Sequence, residues 1–310
     1  MRIAVIGAGA MGSLFGGMLS AFHEVTLVDS DDRRVKAIRE GGVSILDGES
    51  RRIYFPSAAV SGEVRSPVEL VIVFVKSMYT DAAIRQNEAL IDGNTVLMSL
   101  QNGAGQEKIM SGYASEDRIL RGVTQHNASV EQNAIRHGGG GMTYIGGLAP
   151  GKMSKCAEEV ALAMTAAGIE TMAVDDAQKR VWEKLAMNAS SSALSAVLRA
   201  RHGICIDSES ARTITERLIR EVACVANALG YPLNGVALTE EIEDRLSKSP
   251  MALTSICADI RDGRATEVEF ITGTVVREAQ RMSVPAPTHE MILMLIHALE
   301  DRAKLSKYMV

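Results

Sequence analysis

The first twelve residues constrain this chain more than any others. Arg2-Ile3-Ala4-Val5-Ile6 is an apolar run of strand length, and Gly7-Ala8-Gly9-Ala10-Met11-Gly12 comes at once after it, opening a helical stretch over Ala10–Ser20. Each glycine of a G-x-G-x-x-G triplet between strand and helix has its own physical task. Gly7 permits the tight turn, Gly9 lets a pyrophosphate approach the backbone, and Gly12 lets the helix pack closely on the strand. The helix start then offers unpaired N–H groups and the positive end of its dipole to phosphate. Asp29 closes the next apolar run, Glu24–Val28. A carboxylate there accepts from the adenosine ribose hydroxyls and repels a 2′-phosphate. Asp31 and Asp32 add negative charge, and Arg33 and Arg34 oppose it. The motif therefore reads as a dinucleotide cradle, with NAD(H) favoured by Asp29.

The rest of the first half alternates short apolar runs with helical periodicity. The strand candidates after the first two are Leu70–Val75, Thr95–Ser99 and Ile119–Val123; the helix candidates are Arg33–Glu40, Tyr79–Leu90 and Gly105–Met110. Near-continuous apolar runs are what strands buried on both faces of a parallel sheet require. Val43–Leu46 and Arg51–Phe55 flank Asp47-Gly48 and predict an inserted hairpin. Arg136–Gly147 is glycine-rich and β in character, with a helix after it over Ser154–Ala167 and a strand near Glu170–Val174. Beyond Asp175 the strand signal ends. Helices are expected over Ala177–Arg199, Ser208–Leu229, Thr239–Ser247, Ser255–Arg261, Thr266–Met282 and His289–Lys304. The expected architecture is α/β: a Rossmann-type, doubly wound parallel sheet over residues 1–175, with a second, all-helical domain over 176–310 that carries substrate and catalysis.

Composition removes several function classes. A chain of 310 residues has length for about two domains. Its net charge of -5 and an aromatic content of 4% leave it without the basic surplus or stacking platforms of a nucleic-acid binder. No apolar run approaches the ~20 residues of a membrane span, and the chain opens directly into a strand, so a cytoplasmic protein is expected. Cys156, Cys205, Cys224 and Cys257 lie far apart and predict buried free thiols in a reducing compartment. No His or Cys pattern has metal-ligand spacing, so no metal is expected. The 16 methionines read as core filler. Gly146–Lys152 imitates a phosphate loop, but Met153 stands where a magnesium-binding hydroxyl would be needed. His137–Gly140 reads as a turn between strands.

The helix from Ala177 carries an unusual stripe. Lys184, Asn188, Ser192 and Ser195 recur every three or four residues, with Val181, Leu185, Ala189 and Leu194 available for the apolar side. Small neutral polar residues around one lysine suit a cleft wall that hydrogen-bonds a substrate. Ser255 and Asp259 stand one helical turn apart, and Thr266 with Glu269 fits a capping box that leaves Glu267 unused.

Together these motifs resemble the ketopantoate reductase (2-dehydropantoate 2-reductase) family along essentially the whole chain. The residues that carry the likeness are Gly7–Gly12, Val75-Lys76, Gln101-Asn102-Gly103, Trp182-Glu183-Lys184 with Asn188, and the set Ser255, Asp259, Arg264-Ala265-Thr266-Glu267 and Gly273. The resemblance implies hydride transfer from a nicotinamide cofactor to the 2-keto group of ketopantoate, giving pantoate for pantothenate and coenzyme A biosynthesis. By the same resemblance Lys184 is the general acid and Glu267 supports it while binding substrate. Asn102, Asn188, Ser192 and Ser255 hold substrate. Gly7, Gly9, Ala10, Met11, Gly12, Asp29, Lys76 and Asn102 bind cofactor.

Three positions depart from the family pattern. Asp29-Ser30-Asp31 stands where an arginine often holds a 2′-phosphate, Tyr79 where a glutamine commonly comes after the lysine, and Ser192 where many members carry a second asparagine. NADP(H), implied by the family, therefore competes with NAD(H), favoured by Asp29. The substrate is open in the same way: an NAD-dependent dehydrogenase of another branched 2-hydroxy acid, a β-hydroxyacid dehydrogenase relative and a non-catalytic dinucleotide sensor are the alternatives. The expected partner is a small 2-keto acid, with a homodimer left open and no nucleic acid or membrane.

Overall fold

The computed structural model describes residues 1–304, with side chains through Arg302. By internal contacts the chain divides into two units, Met1–Gln101 with Gln106–Arg180, and Asn102–Gly105 with the chain from Val181 onward.

The first unit is built on an eight-stranded sheet. Its strands are β1 (Arg2–Ile6), β2 (Glu24–Asp29), β5 (Ser57–Val60), β6 (Leu70–Val73), β7 (Val96–Ser99), β8 (Ile119–Thr124), β11 (Thr143–Gly146) and β12 (Thr171–Ala173). They lie in the order β12-β11-β8-β7-β6-β1-β2-β5. The run from β5 to β8 is parallel, β11 turns antiparallel on β8, and β12 is parallel to β11. The order reverses beside β1: the chain winds outward through β2 to β5, then returns to β6. That switch point is where such sheets open a crevice beyond their strand ends.

Alternate residues of each strand feed two cores. Ile3, Val5, Leu70 and Ile72 pack with Leu14, Phe15 and Leu19 of α1 (Ala10–Leu19). The other helices of this unit are α2 (Asp32–Gly41), α3 (Thr80–Gln86), α4 (Gln106–Met110) and α5 (Lys155–Ala166). Val160 and Met164 of α5 join the α1 core. Ala4, Ile6, Val71 and Val73 pack instead with Ile84 of α3 and Met110 of α4. This two-faced burial is why the central strands read as continuous apolar runs.

The expected hairpin is present as β3 (Val43–Asp47) and β4 (Ser50–Tyr54), with Gly48 at φ +58° in its turn. It grows into a second sheet, β4-β3-β10-β9, by adding β10 (Ala134–His137) and β9 (Ala128–Glu131). Gly138–Gly141 links β10 to β11. Here the rings of His126 and His137 stack, with Nδ1 of the first 3.0 Å from Nε2 of the second. His137 Nδ1 lies 3.5 Å from Asp47.

The second unit is helical. The chain enters it inside α6 (Ala177–Met187), a few residues later than the boundary expected at 175. After a π-helical turn over Asn188–Ser192 come α7 (Ala193–Leu198), α8 (Ile204–Asp207), α9 (Glu209–Ala228) and α10 (Gly235–Lys248). The last three are α11 (Ser255–Arg261), α12 (Thr272–Met282) and α13 (Pro287–Lys304). Glu221 of α9 caps α13: its oxygens accept from the Thr288 and His289 N–H groups at 3.0 Å each and from His289 Nδ1 at 2.8 Å.

Three local expectations are corrected. The capping box at Thr266 does not form: the Thr266 N–H that Glu269 would accept donates to Glu300 at 2.9 Å, Glu269 pairs with Arg277 and His297, and Thr266 Oγ1 accepts from the Val268 N–H rather than from that of Glu269. A 3₁₀ turn over Val268–Phe270 stands there, and α12 starts only at Thr272. Cys205 and Cys257 are buried, but Cys224 is exposed and Cys156 half-buried, and all four are free thiols. Met153, Met172, Met251, Met291 and Met294 lie exposed rather than in a core. Among the described residues no helix is long and apolar enough to cross a membrane.

A buried and a half-buried imidazole, His126 and His202, set an expectation for acid stability. Burial pushes His202 below its ordinary value of 6.5. Burial and the neighbouring His137 do the same to His126, against the pull of Asp47. As pH falls past 6.5 the unfolded chain binds these protons first, so stability declines from there toward the depressed folded-state values. Glu221 acts lower. Burial raises its carboxyl, the His289 and Thr288 hydrogen bonds outweigh that, and its contribution is lost only below 4.5. Tm is therefore expected to fall between pH 7 and about pH 5, and His202→Gln should flatten that slope. An unchanged slope in the variant would remove His202 from the account.

Candidate active site

The glycine loop shows which of its members the fold needs. Gly7 stands at φ +101°, and a methyl group on it would lie 2.6 Å from the Val75 nitrogen. A methyl group on Gly12 would lie 1.9 Å from the Gly7 carbonyl oxygen. These two glycines hold α1 against β1 and the end of β6. Gly9 differs, with open space where its side chain would be. It is also the N-cap of α1, with no side chain capping the helix and no acidic residue in its first turn. The first N–H groups of α1 thus lack intrahelical partners, beside Ala10 and Met11, which are half-buried. Those features fit a dinucleotide diphosphate.

Asp29 is buried at the end of β2 and fastened to that loop. Its Oδ2 accepts from the Ala8 N–H at 2.8 Å and from Arg34 Nη1 at 2.9 Å, and its Oδ1 from the Asp31 N–H at 3.0 Å. Asp31 is occupied differently: its carboxylate accepts from the Arg33 and Arg34 N–H groups and caps α2. Of the two arginines, Arg34 is the one that folds back onto Asp29.

Lys76 is half-buried, in extended backbone just past β6. Its flanks are clamped. The Val75 carbonyl accepts from Gln101 Nε2 at 2.6 Å, and Ser77 Oγ accepts from Gln106 Nε2 at 2.9 Å. Gln101 entered the sequence reading only as part of the Gln101-Asn102-Gly103 motif, without this clamping role, and neither Gln106 nor the fully buried Arg121 was singled out; for Arg121 a polar residue inside an apolar strand was the available signal.

Asn102 begins a four-residue segment that belongs to the helical unit. Gly103 stands at φ +85°, where an added methyl group would lie 2.1 Å from the Phe270 carbonyl oxygen, and the Ala104 N–H donates to that oxygen at 3.1 Å. Thr274 Oγ1 donates to the Ala104 carbonyl at 3.1 Å. The segment is thereby held to the turn that Glu267 opens.

The stripe on α6 is not a single face. Lys184 and Asn188 are half-buried, but the π-helical turn inserts an extra residue per turn and rotates the residues after it. Ser192 is buried at 6% exposure, and Ser195 is wholly buried, donating to the Ser192 carbonyl at 3.0 Å and lying 3.3 Å from Thr254 Oγ1. Ser195 thus belongs to packing against α11, and the four-member stripe reduces to Lys184 and Asn188 with Ser192 beneath. Ser255 is exposed in the first turn of α11, which Thr254 caps. Asp259 is paired with Arg264 at 2.9 Å.

A Rossmann sheet with this loop, followed by a helical unit, is the build of a two-unit dinucleotide-binding protein. The chain belongs to the ketopantoate reductase family: the family described as "Ketopantoate reductase PanE/ApbA" matches residues 3–150, and its C-terminal counterpart matches residues 176–300. A 2-dehydropantoate 2-reductase of Halobacterium salinarum is 31% identical over 314 residues, covering 99% of both chains. That of Archaeoglobus fulgidus is 27% identical, covering 97% of this chain and 98% of its own. Among solved structures, D-mandelate dehydrogenase with NADH and anilino(oxo)acetate superposes with a TM-score of 0.92 at 26% identity, covering 98% of this chain and all of its own. A ketopantoate reductase of Ralstonia eutropha gives 0.88 at 25% identity, with 98% and 100% coverage.

The two kinds of glycine are separable by experiment. Gly12→Ala forces a methyl group against backbone and is expected to cost about 3 kcal/mol or more of stability, at the upper end for overpacking. Gly9→Ala meets open space, and its Tm should stay at the wild-type value. Equal losses in a thermal melt would overturn this division.

Proposed function

We propose that the protein is a nicotinamide-dependent reductase of a branched 2-keto acid, with 2-dehydropantoate as the first candidate and NADH as the preferred cofactor. Lys184 and Asn188 carry the reaction reading: both are half-buried, and a π-helical turn starts at Asn188, right after the stretch that bears the lysine. Such turns inside helices are frequent at functional sites.

The bound dihydronicotinamide would supply a hydride to the keto carbon. Negative charge then gathers on the keto oxygen, where the Lys184 ammonium stabilises it and delivers the proton that completes the 2-hydroxy acid. Asn188 and Ser255 hold substrate oxygens, Ser192 shapes the floor beneath them, and Asn102 and Glu267 orient substrate and lysine. Gly7–Gly12, with Ala10 and Met11, binds the diphosphate, and Lys76 contacts the cofactor. Lys184→Ala should lower turnover by about 10²–10⁴-fold, the usual worth of a general acid, while NADH binding stays near wild type. Turnover close to wild type would remove Lys184 from this role.

Cofactor choice rests on Asp29. A carboxylate offers about four lone-pair positions; Ala8, Arg34 and Asp31 take three of them. Asp29 Oδ1 retains capacity for a ribose hydroxyl, whereas a 2′-phosphate would meet like charge at a cost on the order of a few kcal/mol where solvent is partly excluded. Arg34, 45% exposed, offsets part of that repulsion. The kcat/KM ratio is expected to favour NADH over NADPH, and Asp29→Asn or Ser30→Arg should narrow it. A wild-type ratio favouring NADPH would overturn the assignment. The same assays, run across 2-keto acids that include 2-dehydropantoate and an aromatic member, test the substrate. The aromatic acid is included because of the likeness to D-mandelate dehydrogenase, and a preference for it would move the reading to a 2-hydroxy acid dehydrogenase of that kind.

A further inference from the structure

Among the described residues Arg121 is the largest side chain buried completely, at 0% exposure in the middle of β8. A guanidinium there is expensive: desolvation lowers its pKa, and the carboxylate that opposes this, Glu107, stands 3.5 Å away. An apolar side chain of similar volume would cost the sheet less. The return on that cost lies in what Arg121 orders. Its Nη1 donates to Ser99 Oγ at 2.7 Å and to the Ser99 carbonyl at 3.3 Å. The Ser99 hydroxyl passes its own proton to Gln101 Oε1 at 2.8 Å. Gln101 Nε2 then donates to Thr80 Oγ1 at 2.9 Å and to the Val75 carbonyl at 2.6 Å.

An arginine only donates, so every bond in this row has a fixed direction. Without it only the 3.2 Å bond from the Gln101 N–H remains of the two that Ser99 Oγ accepts here, the Ser99 proton is less firmly directed, and the Gln101 amide loses one of the contacts that oppose a flip. The flipped amide would set Oε1 against the Val75 carbonyl, acceptor against acceptor. The row ends on the peptide that joins Val75 to Lys76. On the other side of the same lysine, Gln106 of α4 grips Ser77.

We infer that Arg121 is a positioning residue for the cofactor-binding edge of the sheet, acting through Ser99 and Gln101 on the backbone that carries Lys76. The inference rests on the proposed role of Lys76 as a cofactor contact. No part of it requires Arg121 to touch cofactor or substrate.

The test uses the full chain, NADH and the best 2-keto acid from the substrate series. Arg121→Met is expected to lower kcat/KM for NADH by about 10–100-fold, the range that misplacement by ~1 Å produces. Ser99→Ala cuts the row without removing the charge and should move kcat/KM in the same direction, which keeps the inference open to refutation if Arg121→Met fails to fold. Arg121→Lys restores a donor and should recover part of the loss. Burial lowers the pKa of the introduced amine, so the activity of this variant should fall as pH rises through a range where the wild type is flat. A purely structural arginine would give no such titration. Folded Arg121→Met or Ser99→Ala with kcat/KM within twofold of wild type would overturn the inference, as would a wild-type pH profile in Arg121→Lys. A wild type that binds NADH but reduces no 2-keto acid would overturn the substrate reading alone. In that case the NADH dissociation constant of Arg121→Met decides the role of Arg121, a rise supporting it and no change overturning it.

Discussion

The close approach of α1 to the sheet at Gly7 and Gly12 underlies everything else in the first unit. The Gly7 N–H donates to the Val28 carbonyl at 2.8 Å, Gly12 sits on the Gly7 carbonyl, and neither position leaves room for a methyl group. With the helix so close, Leu14, Phe15 and Leu19 reach the core that Ile3 and Val5 present. The same approach brings the Ala8 N–H within 2.8 Å of Asp29, so loop geometry and the carboxylate at the end of β2 are set together. A change that lifts α1 would disturb core packing and cradle at once.

Arg34 and Arg121 show two ways of managing positive charge beside this edge. Arg34 is partly in water, and its pair with Asp29 is screened and adjustable, so it can yield to a ligand. Arg121 is sealed in, and the bonds it gives to Ser99 are not in exchange with solvent. In the proposed reading the exposed arginine tunes what binds and the buried one keeps the frame still. Interchanging them would fail on both counts, since a buried pair cannot yield and an exposed one cannot hold an amide in one orientation.

Much of this architecture was legible in the sequence because burial on two faces leaves a plain mark. β1 and β2 match their expected bounds, and β6, β7 and β8 differ by one or two residues at an end. What escaped has physical reasons. β5 is Ser-Ala-Ala-Val and β9 is mostly exposed, so neither shows an apolar run, and both are strands only because a neighbour offers an unpaired edge. The antiparallel β11 comes after a glycine loop whose direction no local pattern encodes. Thr266 and Glu269 had the spacing of a capping box, yet Glu300 on α13 bound the threonine and Arg277 and His297 took the glutamate. Local rules lost there to partners from distant sequence. In the site, the glycines and Asp29 were readable because backbone conformation dictates them. Gln101 was legible only as part of a motif and Gln106 not at all, since a glutamine clamping a carbonyl or hydroxyl looks like any other glutamine until the fold brings its partner near.

The π-helical turn carries the least visible consequence. Asn188-Ala189-Ser190-Ser191-Ser192 has no proline or glycine to announce a break, and Ser190 and Ser191 bond back to the Ala186 and Met187 carbonyls at 2.6 and 2.9 Å. Those bonds compete with the helix's own ladder, and serines that bend back in this way loosen and curve it. Three serines in a row thus favour the wider turn that a purely apolar sequence would resist. The wider turn shifts the facing of α7 by about a quarter of a rotation: Ser195 goes into the packing against α11, and Ser192 sinks below the surface that Lys184 and Asn188 share. A serine at that depth presents one short hydroxyl where an asparagine would extend an amide. The room at position 192 is set by backbone winding as much as by side-chain size. Placing an asparagine at position 192 without straightening the turn would push its amide into packed core, so the side chain that fits here and the helix geometry are one property.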